Sequence, residues 1–253
     1  MNHAMPTTPW LIRTPAADRR LRLFCFSYAG GNAFNFLRWQ EAVDPAIEIC
    51  AVQLPGRSSR IAEAPIASLP ALLQAVAPVV ARMDDLPYAL FGHSVGALIA
   101  FELARYLRLH GLPSPQHMFM SGCHAPQFRA PTRQLHTLSD QDFTEVLREY
   151  EGTPPEVLAQ RDLMALLLPA IRADFAIAEN YRYRHGPLLS APISVFAGRD
   201  DINKEPGQVD GWAKETAGDC RVDWFDGGHF FIHGQRAAVL ERINAELTAR
   251  LCV

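Results

Sequence analysis

A serine with a glycine two positions before it and another two positions after it is the residue best placed to do chemistry. Ser94 lies in Gly92–Gly96, which reads GHSVG, between an apolar run at Tyr88–Phe91 and a helical run at Ala97–Leu109. This spacing is typical of a tight strand-to-helix turn that exposes a nucleophilic hydroxyl, because the glycines let strand and helix pack closely. An ordinary glycine turn in which Ser94 caps the helix is the alternative.

A serine hydroxyl attacks a carbonyl at neutral pH only when a general base lies within reach and an acid orients that base. Of the nine histidines, His229 and His233 follow the last predicted strand. His229 comes directly after Gly227 and Gly228, in a loop able to project the imidazole over Ser94. His233 is expected to begin the last helix and to be solvated. The sequence therefore favours His229 as the base.

Two adjacent aspartates compete for the role of the acid. Asp200 and Asp201 follow the predicted strand that ends near Gly198. Successive side chains of an extended segment point in opposite directions, so only one carboxylate can face His229. The spacing G-x-x-D from Gly198 favours Asp201, and Asp200 would then hold the loop or face solvent.

Acyl chemistry at Ser94 would also need hydrogen-bond donors for a developing oxyanion. The backbone N–H of Val95, next to the nucleophile, is the first candidate. The second is the N–H of Ala29, in the small-residue loop Ser27–Gly31 that follows the first predicted strand. The same loop could be an ordinary glycine turn.

Other reactive side chains near these motifs receive structural interpretations. Cys123 precedes His124, but adjacent residues rarely face each other usefully, so no cysteine nucleophile is predicted. His93 should point away from the Ser94 side chain and is expected to pack in the interior. The sequence shows no phosphate-binding loop, dinucleotide fingerprint or metal-ligand cluster, so no cofactor and no metal are expected.

Composition excludes several classes of partner. The chain has 253 residues, a net charge of −3 and a pI near 6.3, which give no global attraction to nucleic acid or to anionic membranes. No apolar run is long enough to span a membrane, and no secretory signal is seen. The five cysteines are widely spaced and predict neither disulfides nor a zinc site. We expect a cytoplasmic protein, with a monomer as the default.

Strand and helix patterns alternate along most of the chain. This alternation predicts an α/β fold with a mostly parallel central sheet and helices on both faces. The predicted strands are Leu21–Phe26, Ile47–Val52, Tyr88–Phe91, His117–Met120, Ile193–Phe196 and Arg221–Phe225. The predicted helices are Leu69–Met83, Ala97–Leu109, Asp140–Tyr150, Pro155–Leu168, Pro169–Asn180 and Arg236–Leu251. Residues 1–253 are expected to form one domain, with a helical lid inserted at about 138–183.

Several motifs together resemble type II thioesterases of nonribosomal peptide and polyketide synthases, members of the α/β-hydrolase superfamily. The motifs are Phe26–Gly31 with Phe36 and Trp39, Leu54–Arg57, Phe91–Gly96, Leu168–Phe175 with Tyr181, Gly198–Asp201, Trp212 and Phe225–Phe230. The resemblance spans nearly the whole chain. Ser27-Tyr28 departs from the pattern, which often has proline or histidine there.

The resemblance implies that Ser94, Asp201 and His229 hydrolyse thioesters, with Ala29 and Val95 as the oxyanion hole. It implies removal of aberrant or stalled acyl groups from the phosphopantetheine arm of carrier proteins. A general acyl-CoA or small-ester hydrolase and a non-catalytic binding protein are the alternatives. Because carrier proteins are typically acidic, Arg57 and Arg60 are candidates for docking, although both could simply be solvated.

Overall fold

A seven-stranded sheet organises the computed structural model, which describes residues 8–129, 133–150, 152–201 and 207–251. The strands are β1 (Leu11–Arg13), β2 (Leu21–Phe26), β3 (Ile47–Val52), β4 (Tyr88–His93), β5 (Met118–Ser121), β6 (Ile193–Gly198) and β7 (Cys220–Phe225). Only β1 is antiparallel to its neighbour, β3, and the order is β1-β3-β2-β4-β5-β6-β7. The expected mostly parallel sheet is confirmed. β1 was not predicted, because three residues are too few to show a strand periodicity.

Helices cover both faces of this sheet. They are α1 (Phe34–Leu37), α2 (Leu69–Ala81), α3 (Val95–Leu109), α4 (Asp140–Glu149), α5 (Pro155–Leu158), α6 (Arg161–Asn180), α7 (Phe231–Gly234) and α8 (Arg236–Leu251). Alternate side chains of β2 enter different cores: Phe24 packs with α2 and α3, whereas Leu23 packs with α8. Within the described part of the chain, no helix has both the length and the apolar character needed to cross a membrane.

The chain order of the strands creates a crevice at their carboxyl ends. From β2 the chain moves outward to β3 and then returns to place β4 on the other side of β2. Phe26 at the end of β2 is therefore paired with Gly92, near the end of β4. Parallel sheets bind ligands outside such a switch point, since the two loops diverge there. The loops that carry Ala29 and Ser94 thus begin side by side.

The helices α4, α5 and α6 form an insertion between β5 and β6 with a small apolar core of its own. Separate helices at Pro155–Leu168 and Pro169–Asn180 were predicted, and this division is wrong. The structure has one helix, α6, with Pro169 inside it, and α5 is only four residues long. Proline removes one helical hydrogen bond, but this cost is tolerated where neighbouring side chains bury the helix. Ile171 and Leu168 of α6 provide that burial.

Cysteines contribute to the interior. Cys25 and Cys50 are buried in the sheet, as expected for small core residues, and burial raises the pKa of both thiols. Cys123 and Cys220 are also free thiols. Cys252 lies outside the described residues.

Candidate active site

The turn at Ser94 has the strained geometry expected of an exposed nucleophile. Ser94 has φ 58° and ψ −122°, a conformation that non-glycine residues rarely adopt. A Cβ atom on Gly92 would lie 2.2 Å from the Gly96 carbonyl oxygen, and one on Gly96 would lie 2.3 Å from the Phe26 carbonyl oxygen. Both positions therefore require glycine for the close strand–helix contact that the sequence predicted.

Ala29 and Val95, the residues whose backbone N–H groups were predicted as oxyanion donors, line the same cavity as Ser94. Val95 is the first residue of α3, so its N–H has no acceptor within the helix. Ala29 belongs to a tight turn in which the Gly31 N–H donates to the Tyr28 carbonyl at 2.9 Å. Gly30 occupies the left-handed region of this turn at φ 75°. Both candidate oxyanion donors thus line the cavity together with Ser94.

His229 and Asp201 are hydrogen-bonded to each other. The distance between His229 Nδ1 and Asp201 Oδ2 is 2.8 Å, and the Asp201 side chain is fully buried. Asp200 is exposed. Of the two aspartates that the sequence left in competition, Asp201 is therefore the one in contact with His229. Because Nδ1 is held by the carboxylate, Nε2 is the ring nitrogen left to exchange a proton.

Backbone hydrogen bonds join the loops that carry this pair. Arg199 donates its N–H to the Phe225 carbonyl at 2.9 Å, and Asp200 donates to the Gly227 carbonyl at 3.0 Å. A Cβ atom on Gly198 would lie 2.4 Å from the Gly228 carbonyl oxygen. The loops after β6 and β7 thus extend the sheet contact by two further residues, which positions the acid beside the base.

A cavity of about 560 Å³ brings these groups together. Ser94, His229 and Asp201 line it on the side of the sheet, and Leu147, Ile171 and Phe175 line it on the side of the insertion. Within the described residues, Ser94 and His229 make no direct hydrogen bond. Such contacts in substrate-free enzymes are often long and tighten when substrate binds.

Three other side chains that the sequence singled out also lie near the cavity. His93 is fully buried, with Nδ1 2.9 Å from Ser121 Oγ and its ring against that of His229, so the expected packing role is confirmed. His233 is exposed, as expected, but it lies in the short helix α7 and does not begin the last helix, α8; its Nε2 is 3.1 Å from the Tyr28 hydroxyl. Cys123 lines the cavity, and its thiol lies 3.3 Å from the His124 carbonyl oxygen.

The two arginines considered for docking are not on the surface. Arg57 is 5% exposed and makes a bidentate ion pair with Asp174 of α6, at 2.8 Å for both contacts. Arg60 is 6% exposed and donates to Glu63 and to the Gln53 carbonyl. Both interpretations of Arg57 and Arg60, docking and solvation, are wrong, because these guanidinium groups are used inside the molecule.

The Arg57–Asp174 pair also holds the turn that carries Ala29. Asp174 Oδ2 accepts the Gly30 N–H at 2.8 Å, and Arg57 donates to the Gly31 carbonyl at 3.0 Å. Sequence reasoning missed this pair. The available signal was Asp174 itself, a carboxylate among the apolar residues of α6, since a buried charge requires a partner.

The assembled groups are those that nucleophilic acyl transfer requires: a hydroxyl on a strained turn and an imidazole held by a carboxylate, in one cavity that Ala29 and Val95 also line. Among the described residues, no cluster of three or more histidine, cysteine or acidic side chains is placed to hold a metal ion.

Comparison with known proteins gives consistent matches over almost the whole chain. A family model described as "Thioesterase domain" matches residues 21–247. The gramicidin S biosynthesis protein GrsT of Aneurinibacillus migulanus is 38% identical over 90% of this chain and 89% of its own length. Thioesterase PikA5 of Streptomyces venezuelae is 36% identical over 94% of this chain and 85% of its own length. The solved structure of the type II thioesterase BorB, from the borrelidin biosynthetic cluster, has a TM-score of 0.86 at 37% identity and covers 94% of this chain and 97% of BorB.

Proposed function

The chain belongs to the thioesterase domain family, and from this premise we propose that it is an editing enzyme. In this proposal it removes aberrant or stalled acyl groups from the phosphopantetheine arms of carrier proteins in a nonribosomal peptide or polyketide synthase. The observation that carries the proposal is the strained Ser94 turn sharing one cavity with the hydrogen-bonded His229–Asp201 pair. Similarity to GrsT, and to BorB from a biosynthetic cluster, supports this substrate class.

The proposed reaction has two steps. Ser94 Oγ attacks the thioester carbonyl while His229 Nε2 takes its proton, and the N–H groups of Ala29 and Val95 bind the oxyanion. The C–S bond then breaks, and His229 returns the proton to the departing thiolate. In the second step His229 takes a proton from water, which attacks the acyl-serine carbonyl. The ester C–O bond then breaks, His229 returns the proton to Ser94 Oγ, and the carboxylic acid leaves. Asp201 keeps the His229 ring oriented and stabilises its charged form.

The leaving group of a thioester needs less protonation by the general acid, His229, than the leaving group of an oxygen ester does. A thiol has a pKa of about 8.5 whereas an alcohol's lies far higher, so the thiolate leaves with little proton transfer. The apolar side chains of the insertion, among them Leu147, Ile171 and Phe175, offer a place for the acyl chain. We propose that the segment at about 138–183 acts as a lid of a single-domain enzyme and that the pantetheine arm enters beneath it.

A rate comparison tests this proposal. Acyl release is followed over time from acetyl-, propionyl- and aminoacyl-loaded carrier proteins, with the matching acyl-CoA esters in parallel. We expect a higher kcat/KM on the carriers, because part of the binding energy comes from the carrier itself. Equal or faster cleavage of the CoA esters would replace the editing role with that of a general acyl hydrolase.

A further inference from the structure

A second cavity of about 460 Å³ lies beside the one that contains Ser94. Tyr28, Gly152, Thr153 and Phe230 line both cavities and therefore form the wall between them. Two of the four have large aromatic rings, whereas Gly152 and Thr153 are small. The closure of the wall consequently depends on how the rings of Tyr28 and Phe230 are held.

The Tyr28 ring is held by contacts across the wall. Its hydroxyl lies 3.1 Å from Nε2 of His233, and its ring meets that of Phe230 edge to face at 4.9 Å between centroids. The His233 residue is exposed on one side, but the rings of Tyr28 and Phe230 pack against its imidazole, and this desolvation lowers the pKa of His233. The shift favours the neutral imidazole, whose Nε2 can accept the phenolic proton. Burial also raises the pKa of Tyr28, so its hydroxyl keeps that proton.

The second cavity has mainly apolar walls. Pro154, Pro155 and Leu158, in and around α5, form one side, and the stem of Arg148 on α4 contributes another. Ser94 is not among the residues that line this cavity. Among the described residues, a hydrocarbon chain bonded to Ser94 that extends toward the second cavity therefore meets the wall that includes Tyr28.

We propose that Tyr28 determines which acyl chains this enzyme accepts, by closing the Ser94 cavity against the second one. The acyl chains accepted by the wild-type enzyme end at the Tyr28 ring. Removing the ring joins the two cavities, so that longer apolar acyl chains gain a buried binding site. The inference rests on the proposed thioesterase function and adds a specificity-determining residue to it.

The test measures kcat/KM for acyl-pantetheine thioesters from butyryl to dodecanoyl, each expressed relative to butyryl. We expect a length beyond which the wild-type ratio falls, and we expect Tyr28→Ala to move that limit to longer chains. Each methylene newly buried should raise the ratio about fourfold, equivalent to about 0.8 kcal/mol per CH₂. Tyr28→Phe should keep the wild-type limit, because the ring still packs edge to face against Phe230 when the hydrogen bond to His233 is lost.

A variant that fills the second cavity shows whether longer acyl chains bind there or are accepted because the whole site has become less ordered. Arg148 is half-exposed, with 48% of its side chain accessible, so Arg148→Trp can project a ring into the cavity without disturbing a core. The double variant Tyr28→Ala/Arg148→Trp should return to the wild-type limit. Phe230→Leu removes the other large ring of the same wall, and it replaces Tyr28→Ala in the test if that variant does not fold.

The outcomes distinguish this inference from the function on which it rests. If the wild-type enzyme released no acyl group from any thioester, the proposed function itself would be refuted. A wild-type enzyme that is active, with the same length limit in Tyr28→Ala and in Phe230→Leu, would overturn only the role of Tyr28. A shift in Tyr28→Phe as large as that in Tyr28→Ala would also overturn it, because the ring would then not be the barrier.

Discussion

The carboxyl edge of the sheet and the walls of the cavity are built in different ways. At the sheet edge, backbone geometry places Ser94, Asp201 and His229: a strained turn, strand register and two main-chain hydrogen bonds between loops. Side chains distant in sequence hold the walls. Arg57 and Asp174 are 117 residues apart, and Tyr28 and His233 are 205 apart. The reactive groups thus follow from local motifs, whereas the shape of the cavity depends on long-range pairs.

Replacing the serine at the sheet edge should give the largest effect and separate activity from stability. We expect Ser94→Ala to lower kcat by about 10⁴-fold or more, because the nucleophile is lost. Stability should be unchanged, since alanine meets the same backbone strain at φ 58°. Thioester hydrolysis and urea unfolding measure the two effects.

A serine in the insertion provides the matched control. The Ser139 hydroxyl accepts the Asp142 N–H at 3.2 Å and caps α4. Ser139→Ala should cost about 1 kcal/mol of stability with little change in kcat. Substantial turnover by Ser94→Ala would contradict the proposed nucleophile.

The adjacent aspartates offer a second contrast at the sheet edge. Asp201→Asn should lower kcat/KM by about 10³-fold, because the amide favours the wrong His229 tautomer. Asp200→Asn, on an exposed neighbour, should stay within about threefold of wild type. Steady-state kinetics of the pair measures this difference. Equal losses in both variants would show that loop structure, and not the contact with His229, accounts for the effect.

Breaking the Arg57–Asp174 ion pair tests how the Ala29 side of the Ser94 cavity is held, and it should lower activity less than the substitutions at Ser94 and Asp201. Asp174→Asn leaves a buried guanidinium without its counter-charge and should destabilise the fold by about 3 kcal/mol. We also expect a lower kcat/KM, because the Gly30 N–H loses its carboxylate acceptor beside Ala29. Urea unfolding and kinetics at a temperature where the variant is folded measure the two effects.

The control for that substitution lies on the surface of the insertion. Asp140 pairs with Arg172, but 78% of its side chain is exposed, so Asp140→Asn should cost less than about 1 kcal/mol. If Asp174→Asn proved as mild as Asp140→Asn, the buried pair would not support the Ala29 turn.

Elements with a local signal could be predicted from the sequence. The GHSVG turn, the loop of His229 and six of the seven strands follow from glycine spacing and apolar runs. Two of the departures from the predicted elements have clear physical reasons. β1 is a three-residue edge strand, and α6 continues through Pro169 because packing of Leu168 and Ile171 in the apolar core of the insertion outweighs local propensity.

Contacts between distant side chains could not be predicted in the same way. Arg57 looked like a surface arginine, and only the fold brings Asp174 to it. Tyr28 was recognised as a departure from a motif, yet nothing local indicates a hydrogen bond to His233. A local sequence pattern does not predict a contact that depends on the packing of a separate element.

The loop after β2 and the turn after β4 differ in the range of amino acids that they can accept. At Gly96 any side chain would collide with the main chain at Phe26, so selection can keep only glycine there. Tyr28, two residues beyond Phe26, places its ring between two cavities, where it contacts side chains and not the main chain of a packed helix. Substitutions at position 28 can therefore change the accepted substrates while the catalytic turn stays unchanged. In a library randomised at positions 28 and 96, active variants should differ at position 28 and keep glycine at position 96.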